Sequence, residues 1–227
     1  MSRTLAVVCV SGGMDSCVAA ALAAADHRLA FLHACYGQRT QAAELRSFNA
    51  LADHFVAERR LVVDLRHLGA IGGSSLTDRG IPVREGPPQE GSIPTSYVPF
   101  RNAHLLCAAV SWGEVLGARA VVVGAVAQDS SGYPDCRPEF YEAFQEVVRR
   151  GTRPDTELRI ETPVIGLTKG EIVARGLVLG VPFEKTWSCY QNEDRACGAC
   201  ESCLLRLKGF AEAGVPDPIV YCERPAP

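Results

Sequence analysis

The hexapeptide Ser11-Gly12-Gly13-Met14-Asp15-Ser16 constrains this chain more than any other stretch. It follows the apolar run Leu5–Val10, which reads as a buried strand, and precedes Cys17–Ala25, which reads as the body of a helix. A Ser- and Gly-rich turn between a strand and a helix N-terminus gathers backbone N–H groups and the positive end of a helix dipole at one point. Glycines let the backbone approach a phosphate closely. Ser11 and Ser16 add hydroxyl donors. Asp15 would repel a phosphate unless a cation lay between them, so its presence in the turn implies Mg²⁺. No lysine follows the glycines, so this is not a Walker A loop.

The strand–turn–helix unit makes the fold expectation concrete. Apolar runs alternate with helical patterns along the chain, which predicts an α/β fold with an open, mostly parallel sheet and helices on both faces. Strands are expected at Leu5–Val10, Arg28–Ala34, Leu61–Leu65, Ala118–Val123 and Arg159–Glu161. Helices are expected over Asp15–Ala25, Gln41–Phe55, Ala103–Leu116, Glu139–Arg150 and Leu204–Ala213. The second of these carries Ala43, Leu45, Phe48, Leu51 and Phe55 as core positions. The helix Ala103–Leu116 is apolar enough to serve as core or interface. Thr168, three residues before Glu171, predicts a capping box opening a helix to about Leu179. From Gly69 to Ser96 periodicity vanishes, and so long a loop reads as a lid or as disorder. In open α/β sheets ligands sit beyond the carboxyl ends of the strands, where Ser11–Ser16, Tyr36–Arg39 and Ala125–Asp135 all fall.

Cysteine supplies the second constraint. The 227 residues include ten cysteines, and no secretory signal is expected from the way the chain enters its first strand. A cytoplasmic protein is the default, and there ten cysteines should not form disulfides. Cys9, Cys17, Cys35, Cys107, Cys136 and Cys222 are scattered and read mostly as small buried hydrophobes. Cys189, Cys197, Cys200 and Cys203 are spaced C-x7-C-x2-C-x2-C. Four thiolates match a closed, tetrahedral structural zinc site. The C-x2-C-x2-C run also opens a ferredoxin-type sequence, so an iron–sulfur cluster is the competing reading. Here Lys208 and Gly209 follow where that run would continue, and the fourth cysteine lies upstream. The expected layout is therefore a nucleotide-binding domain over 1–185 and a zinc-bearing element over 186–227.

The net charge of −3 gives no electrostatic footprint for nucleic acid, and the acidic Glu193, Asp194 and Glu201 beside the cysteines argue the same way. No apolar run approaches the ~20 residues of a membrane span. Small molecules are the expected partners.

The SGGxDS loop resembles that of the N-type ATP pyrophosphatases (PP-loop enzymes), which cleave ATP between the α- and β-phosphates and leave AMP on a substrate oxygen. Loop and cysteine cluster together, in this order, resemble one family, the 7-cyano-7-deazaguanine synthases of queuosine biosynthesis. Tyr36-Gly37-Gln38-Arg39, Tyr97-Val98-Pro99-Phe100-Arg101-Asn102, the run Asp129 to Phe140, Leu167–Ile172 and Thr186-Trp187-Ser188-Cys189-Tyr190 carry the likeness. Met14 stands where that family usually has glutamine, in a loop whose backbone does the binding.

The resemblance implies a ligase that converts 7-carboxy-7-deazaguanine and ammonia to the nitrile with two ATP, releasing AMP and diphosphate. It implies ATP bound over Val10, Ser11, Gly12, Gly13, Met14, Asp15, Ser16, Cys17, Val18, Ala19 and Ala20, with Mg²⁺ at Asp15. Lys169 is expected as a cation on the phosphates, or alternatively as a solvated helix lysine. Arg39, Arg101 and Arg137 are candidates for the substrate carboxylate, because a planar guanidinium suits two oxygens. Asp135 or Asp129 would accept from the donor edge of the ring, and Tyr133, Tyr36 or Trp187 would stack on it. Each has a structural alternative: Asp–Arg pairs hold loops and aromatics fill cores. A nucleophilic Cys136 is disfavoured, since Asp135 beside it would raise its pKa. The resemblance also implies a homodimer. The rivals are a tRNA-thiolating PP-loop enzyme, another amide ligase of this class, and a non-catalytic zinc module. The chain has no room for a glutaminase domain, so ammonia comes free or from another subunit.

Overall fold

The computed structural model describes residues 3–87, 91–127 and 132–222. Five strands, β1 (Thr4–Cys9), β2 (His27–Cys35), β3 (Arg59–Asp64), β4 (Ala120–Val123) and β5 (Arg159–Glu161), form one sheet in the order β3-β2-β1-β4-β5. Every pairing is parallel, and Val8 lies between Phe31 and Val122. The central strand β1 is buried on both faces, which is why it reads as a continuous apolar run rather than an alternating one.

The period of two sorts its side chains between two cores. Ala6, Val8 and Val10 pack with Phe31 and Val122 under α1 (Met14–Ala23), α2 (Gln41–His54) and α6 (Lys169–Val178). Leu5, Val7 and Cys9 pack with Leu32 and Val121 under α4 (Arg101–Leu116) and α5 (Pro138–Gly151). Helix α1 is buried almost all round, which explains its run of alanines. The edge strand β3 is half exposed and opens with Arg59 and Arg60, charges that blunt a free edge. Among the described residues no helix is long and apolar enough to cross a membrane.

Helix α6 begins with the expected capping box: Thr168 Oγ1 accepts from the Glu171 amide at 3.2 Å, and the Thr168 amide donates to Glu171 Oε2 at 2.8 Å. Helix α7 (Glu201–Glu212) starts three residues earlier than the Leu204 expected, which puts Cys203 in its first turn. It sends Phe210 into the core beneath α1 and α6. Glycines set this contact. A Cβ on Gly209 would lie 2.9 Å from Lys169 Cβ, and one on Gly170 would lie 2.8 Å from Glu212 Cβ, so α6 and α7 meet backbone against backbone.

The described part of the loop after β3 is anchored to the fold. It contains a short helix, α3 (His67–Ile71), and then the buried Ser74, Ser75 and Leu76. The Ser75 amide donates to the Thr95 carbonyl at 2.7 Å, and the Gly86 amide donates to the Ala199 carbonyl at 3.0 Å, so the loop docks onto the cysteine-bearing segment. Two further expectations are corrected. His27 opens β2 one residue before the Arg28 expected, its Nδ1 2.7 Å from Thr4 Oγ1. Cys107 and Cys222 are exposed, so the buried-hydrophobe reading does not extend to them.

Candidate active site and metal centre

The chain leaves β1 toward β2 and β3 but leaves β4 toward β5, so a crevice opens where the carboxyl ends of β1 and β4 diverge. The Ser11–Gly13 turn forms one wall and Gly124 the other. Both need glycine. Gly12 has φ +92°, and a Cβ there would lie 2.8 Å from the Glu44 carbonyl oxygen. A Cβ on Gly124 would lie 2.5 Å from Ser16 Cα. The turn is braced by Ser16 Oγ donating to the Gly13 carbonyl at 3.0 Å and by the Trp187 amide donating to the Gly12 carbonyl at 2.8 Å. Gly13 caps α1 without a side chain, which leaves the first-turn amides facing the crevice for an anion.

Asp15 and Lys169 meet inside this crevice. Lys169 Nζ lies 2.7 Å from Asp15 Oδ2, and the lysine side chain is only 9% exposed, which removes the solvated-lysine reading. Asp15 Oδ1 is buried with no hydrogen-bond partner among the described residues. An orphaned carboxylate oxygen beside uncapped amides fits a hard cation bridging to phosphate.

Deeper in, Arg101 is the charged centre. Its Nη1 donates to Tyr36 Oη at 3.1 Å, and its guanidinium lies 5.4 Å from the Tyr36 ring centroid and 5.9 Å from that of Tyr133. Tyr133 donates to Ser96 Oγ at 2.9 Å. Arg101, Tyr36, Tyr133 and Trp187 all line the cavity.

The other candidates lie elsewhere. Arg39 donates to the carbonyls of Ser75, Asp78 and Ile81 at 2.6, 2.8 and 2.9 Å, and so clamps the loop after β3. Asp135 caps α4 from outside: its Oδ2 accepts from the Asn102 amide at 2.9 Å, and burial raises its pKa. Arg137 is exposed at the start of α5. Asp129 falls outside the described residues. Cys136 does line the cavity, but burial first and Asp135 second push its thiol up to about 11, which disarms it as a nucleophile.

Further residues to which the sequence assigns no role also line the cavity. Glu44 and Tyr190 come from α2 and the segment before the cysteine cluster. Arg206 of α7 reaches the wall while donating to Asp217, Thr186 and the Phe183 carbonyl. Tyr190 stands in a string that carries the likeness and Glu44 on the first turn of a helix, four residues after Thr40; nothing local marks Arg206.

The sulfurs of Cys189, Cys197, Cys200 and Cys203 lie within 4.8 Å of one another. Backbone amides of Gln191, Asn192 and Cys197 donate to Cys189 Sγ, and those of Ala199 and Cys200 donate to Cys197 Sγ. Amides aimed at sulfur suit thiolates that ligate a cation. All four stand clear of the crevice lining, as a structural metal centre requires.

An open parallel sheet with a pyrophosphatase-type loop at its switch point defines an α/β enzyme of the ATP pyrophosphatase class. The profile described as Queuosine biosynthesis protein QueC matches residues 5–214. The chain belongs to the QueC family. It is 54% identical over 222 residues to the 7-cyano-7-deazaguanine synthase of Chloroherpeton thalassium, covering 97% of this chain and 98% of that one. To the synthase of Chlorobaculum parvum it is 55% identical over 223 residues, covering 97% of each. To that of Acidobacterium capsulatum it is 55% identical over 231 residues, covering 98% of each.

Proposed function

We propose that this QueC-family chain is a 7-cyano-7-deazaguanine synthase, joining ammonia to 7-carboxy-7-deazaguanine and carrying the product on to the nitrile. The observation that carries the mechanism is the Asp15–Lys169 pair beneath the uncapped N-terminus of α1. A carboxylate is a poor electrophile because oxide would have to leave. Transfer of AMP from ATP to a carboxylate oxygen gives a mixed anhydride that ammonia attacks, forming the amide and releasing AMP. The amide oxygen then takes a second AMP, and its loss leaves the nitrile. Both halves put AMP on an oxygen, so one site serves twice.

The chain's contribution is positioning and charge stabilisation. The amides at the start of α1 and the hydroxyls of Ser11 and Ser16 hold the diphosphate that departs. Ser11, Gly13, Met14, Asp15 and Ser16 line the crevice beneath it, and Val10 the recess behind, whereas the expected Cys17, Val18, Ala19 and Ala20 are buried in the core and support the turn from below. Lys169 neutralises charge as the α–β bond breaks. Asp15 would hold Mg²⁺, which when bound would supply positive charge to the phosphate oxygens beside the carboxylate. Arg101 pairs the substrate carboxylate, while Tyr36, Tyr133 and Trp187 flank the ring. The four-cysteine cluster holds zinc as a fold element. A homodimer, on family resemblance, and a cytoplasmic setting, which suits ten unpaired cysteines, complete the reading.

The test is product analysis after incubation with ATP, Mg²⁺, ammonium and the carboxy-deazaguanine. AMP, diphosphate and nitrile are expected. Release of ADP overturns the reading.

A further inference from the structure

The reaction moves protons as well as adenylate. When ammonia attacks the acyl adenylate, a C–N bond forms, AMP leaves, and the new ammonium-like nitrogen must shed a proton. When the amide oxygen attacks the α-phosphorus of the second ATP, diphosphate leaves and the nitrogen sheds another. When AMP leaves the resulting imidate, the last N–H bond breaks as the nitrile forms. Three protons leave one nitrogen, so a base fixed beside it works in every half-reaction.

We propose that Glu44 is that base. The cavity has an outer recess along the phosphate loop and a deeper, mainly apolar recess between the ends of β1, β2 and β4, and Glu44 lines both. On the synthase reading the first recess takes the phosphates and the second the acyl group, which would put Glu44 beside the junction of α-phosphorus and acyl group. Its place relative to the loop is fixed by the close approach of its own carbonyl to Gly12. Gln38 Nε2 donates to Oε2 at 2.9 Å and Thr40 Oγ1 donates to Oε1 at 3.0 Å. Two neutral donors orient the carboxylate and leave each oxygen a lone pair for an incoming N–H. Glu44 makes no salt bridge among the described residues, whereas Asp15 is held by Lys169.

The other groups lining the two recesses are poor bases. Burial raises the pKa of the Tyr36 and Tyr133 phenols and of the Cys136 thiol, so all three keep their protons at neutral pH. His33 is sealed, with Nδ1 2.9 Å from the Val10 carbonyl and its Nε2 inaccessible. Burial raises Glu44 as well, which for a carboxylate makes a stronger base; the Gln38 and Thr40 hydrogen bonds and then Arg101 pull the other way, and Glu193 adds to the rise.

This assignment rests on the synthase reading above, and the test separates the two. Acid-dependent exchange of labelled diphosphate into ATP reports adenylation without nitrogen. Single-turnover conversion of acid to amide, and of supplied amide to nitrile, reports the nitrogen steps. In Glu44→Gln, exchange is expected within about threefold of wild type, while both nitrogen steps fall by about 10²–10⁴-fold. Equal loss of exchange and amination assigns Glu44 to building the site and overturns the proposal, as does normal amination. Should Glu44→Gln not fold, Glu44→Asp is expected to keep exchange and lose about tenfold in amination, and equal losses there overturn it too. Absence of exchange in the wild type overturns the synthase reading instead.

Discussion

Gly209 of α7 lies so close to Lys169 of α6 that a Cβ on the glycine would come within 2.9 Å of both the lysine Cβ and its carbonyl oxygen. The segment that carries the metal ligands thus presses on the residue that reaches the phosphate site. Gly209→Ala should push α6 and α7 apart. Alanine favours a helix by about 1 kcal/mol over glycine, yet the clash is with backbone and cannot rotate away. AMP formation is expected to fall by at least about tenfold, since catalytic geometry tolerates little displacement, with metal content unchanged. Steady-state kinetics and metal analysis check both.

Asp15 and the cysteine cluster should separate in one direction only. Asp15→Ala is expected to abolish AMP formation and leave zinc content at one per chain. Cys200→Ser should lose the metal, lower the melting temperature and reduce AMP formation as well, because Gly209 and Arg206 ride on the helix that follows. Metal analysis and calorimetry on the two variants test this asymmetry. Full activity in metal-free Cys200→Ser would sink it.

Arg39 and Arg101 should fail in different ways. Arg39→Met removes three charged hydrogen bonds to loop carbonyls, and a loss of about 2 kcal/mol or more in stability is expected. Its effect on the KM for the acid should be small in the folded fraction. Arg101→Met should raise that KM by about 10²-fold, the scale of a lost charge-assisted contact of about 3 kcal/mol. Urea melts and KM measurements on both variants distinguish a clamp from a ligand.

Stability should fall in mild acid, and His33 predicts part of it. Burial lowers the imidazole pKa, so the folded chain resists a proton that the unfolded chain accepts. The contribution is complete above pH 6.5, the unfolded value, and is lost as pH falls through the folded one. The slope can reach about 1.4 kcal/mol per pH unit between the two values. His33→Gln should be less stable at pH 7.5 and show a flatter profile between pH 6.5 and 5 in denaturant titrations.

What the sequence disclosed follows from how local each signal is. The phosphate turn, the Thr168–Glu171 capping box and the four-cysteine spacing are contiguous features whose geometry is set within a few residues. Which charged groups enter the cavity depends on contacts between distant segments. Arg39, Asp135 and Arg137 lie within recognisable strings, yet one clamps a loop, one caps a helix and one faces solvent. Helix α2 shows the same limit. Ala43, Phe48 and Leu51 are buried as its pattern predicts, but Ser47 and Ala52 are buried too, while Leu45 and Phe55 are only partly so. Ser47 is explained by Gly12, whose Cβ would lie 3.0 Å from it, a contact no periodicity foretells.

The bond from the Trp187 amide to the Gly12 carbonyl joins the first turn of the chain to a stretch near its end. During synthesis on a ribosome, the sheet has all its strands long before that partner emerges. A nascent chain halted ahead of Trp187 would own a nucleotide loop without its brace on Gly12 and with Lys169 unbacked. A chain cut ahead of Trp187 is therefore expected to lose AMP formation, because the brace on Gly12 and the backing of Lys169 go together.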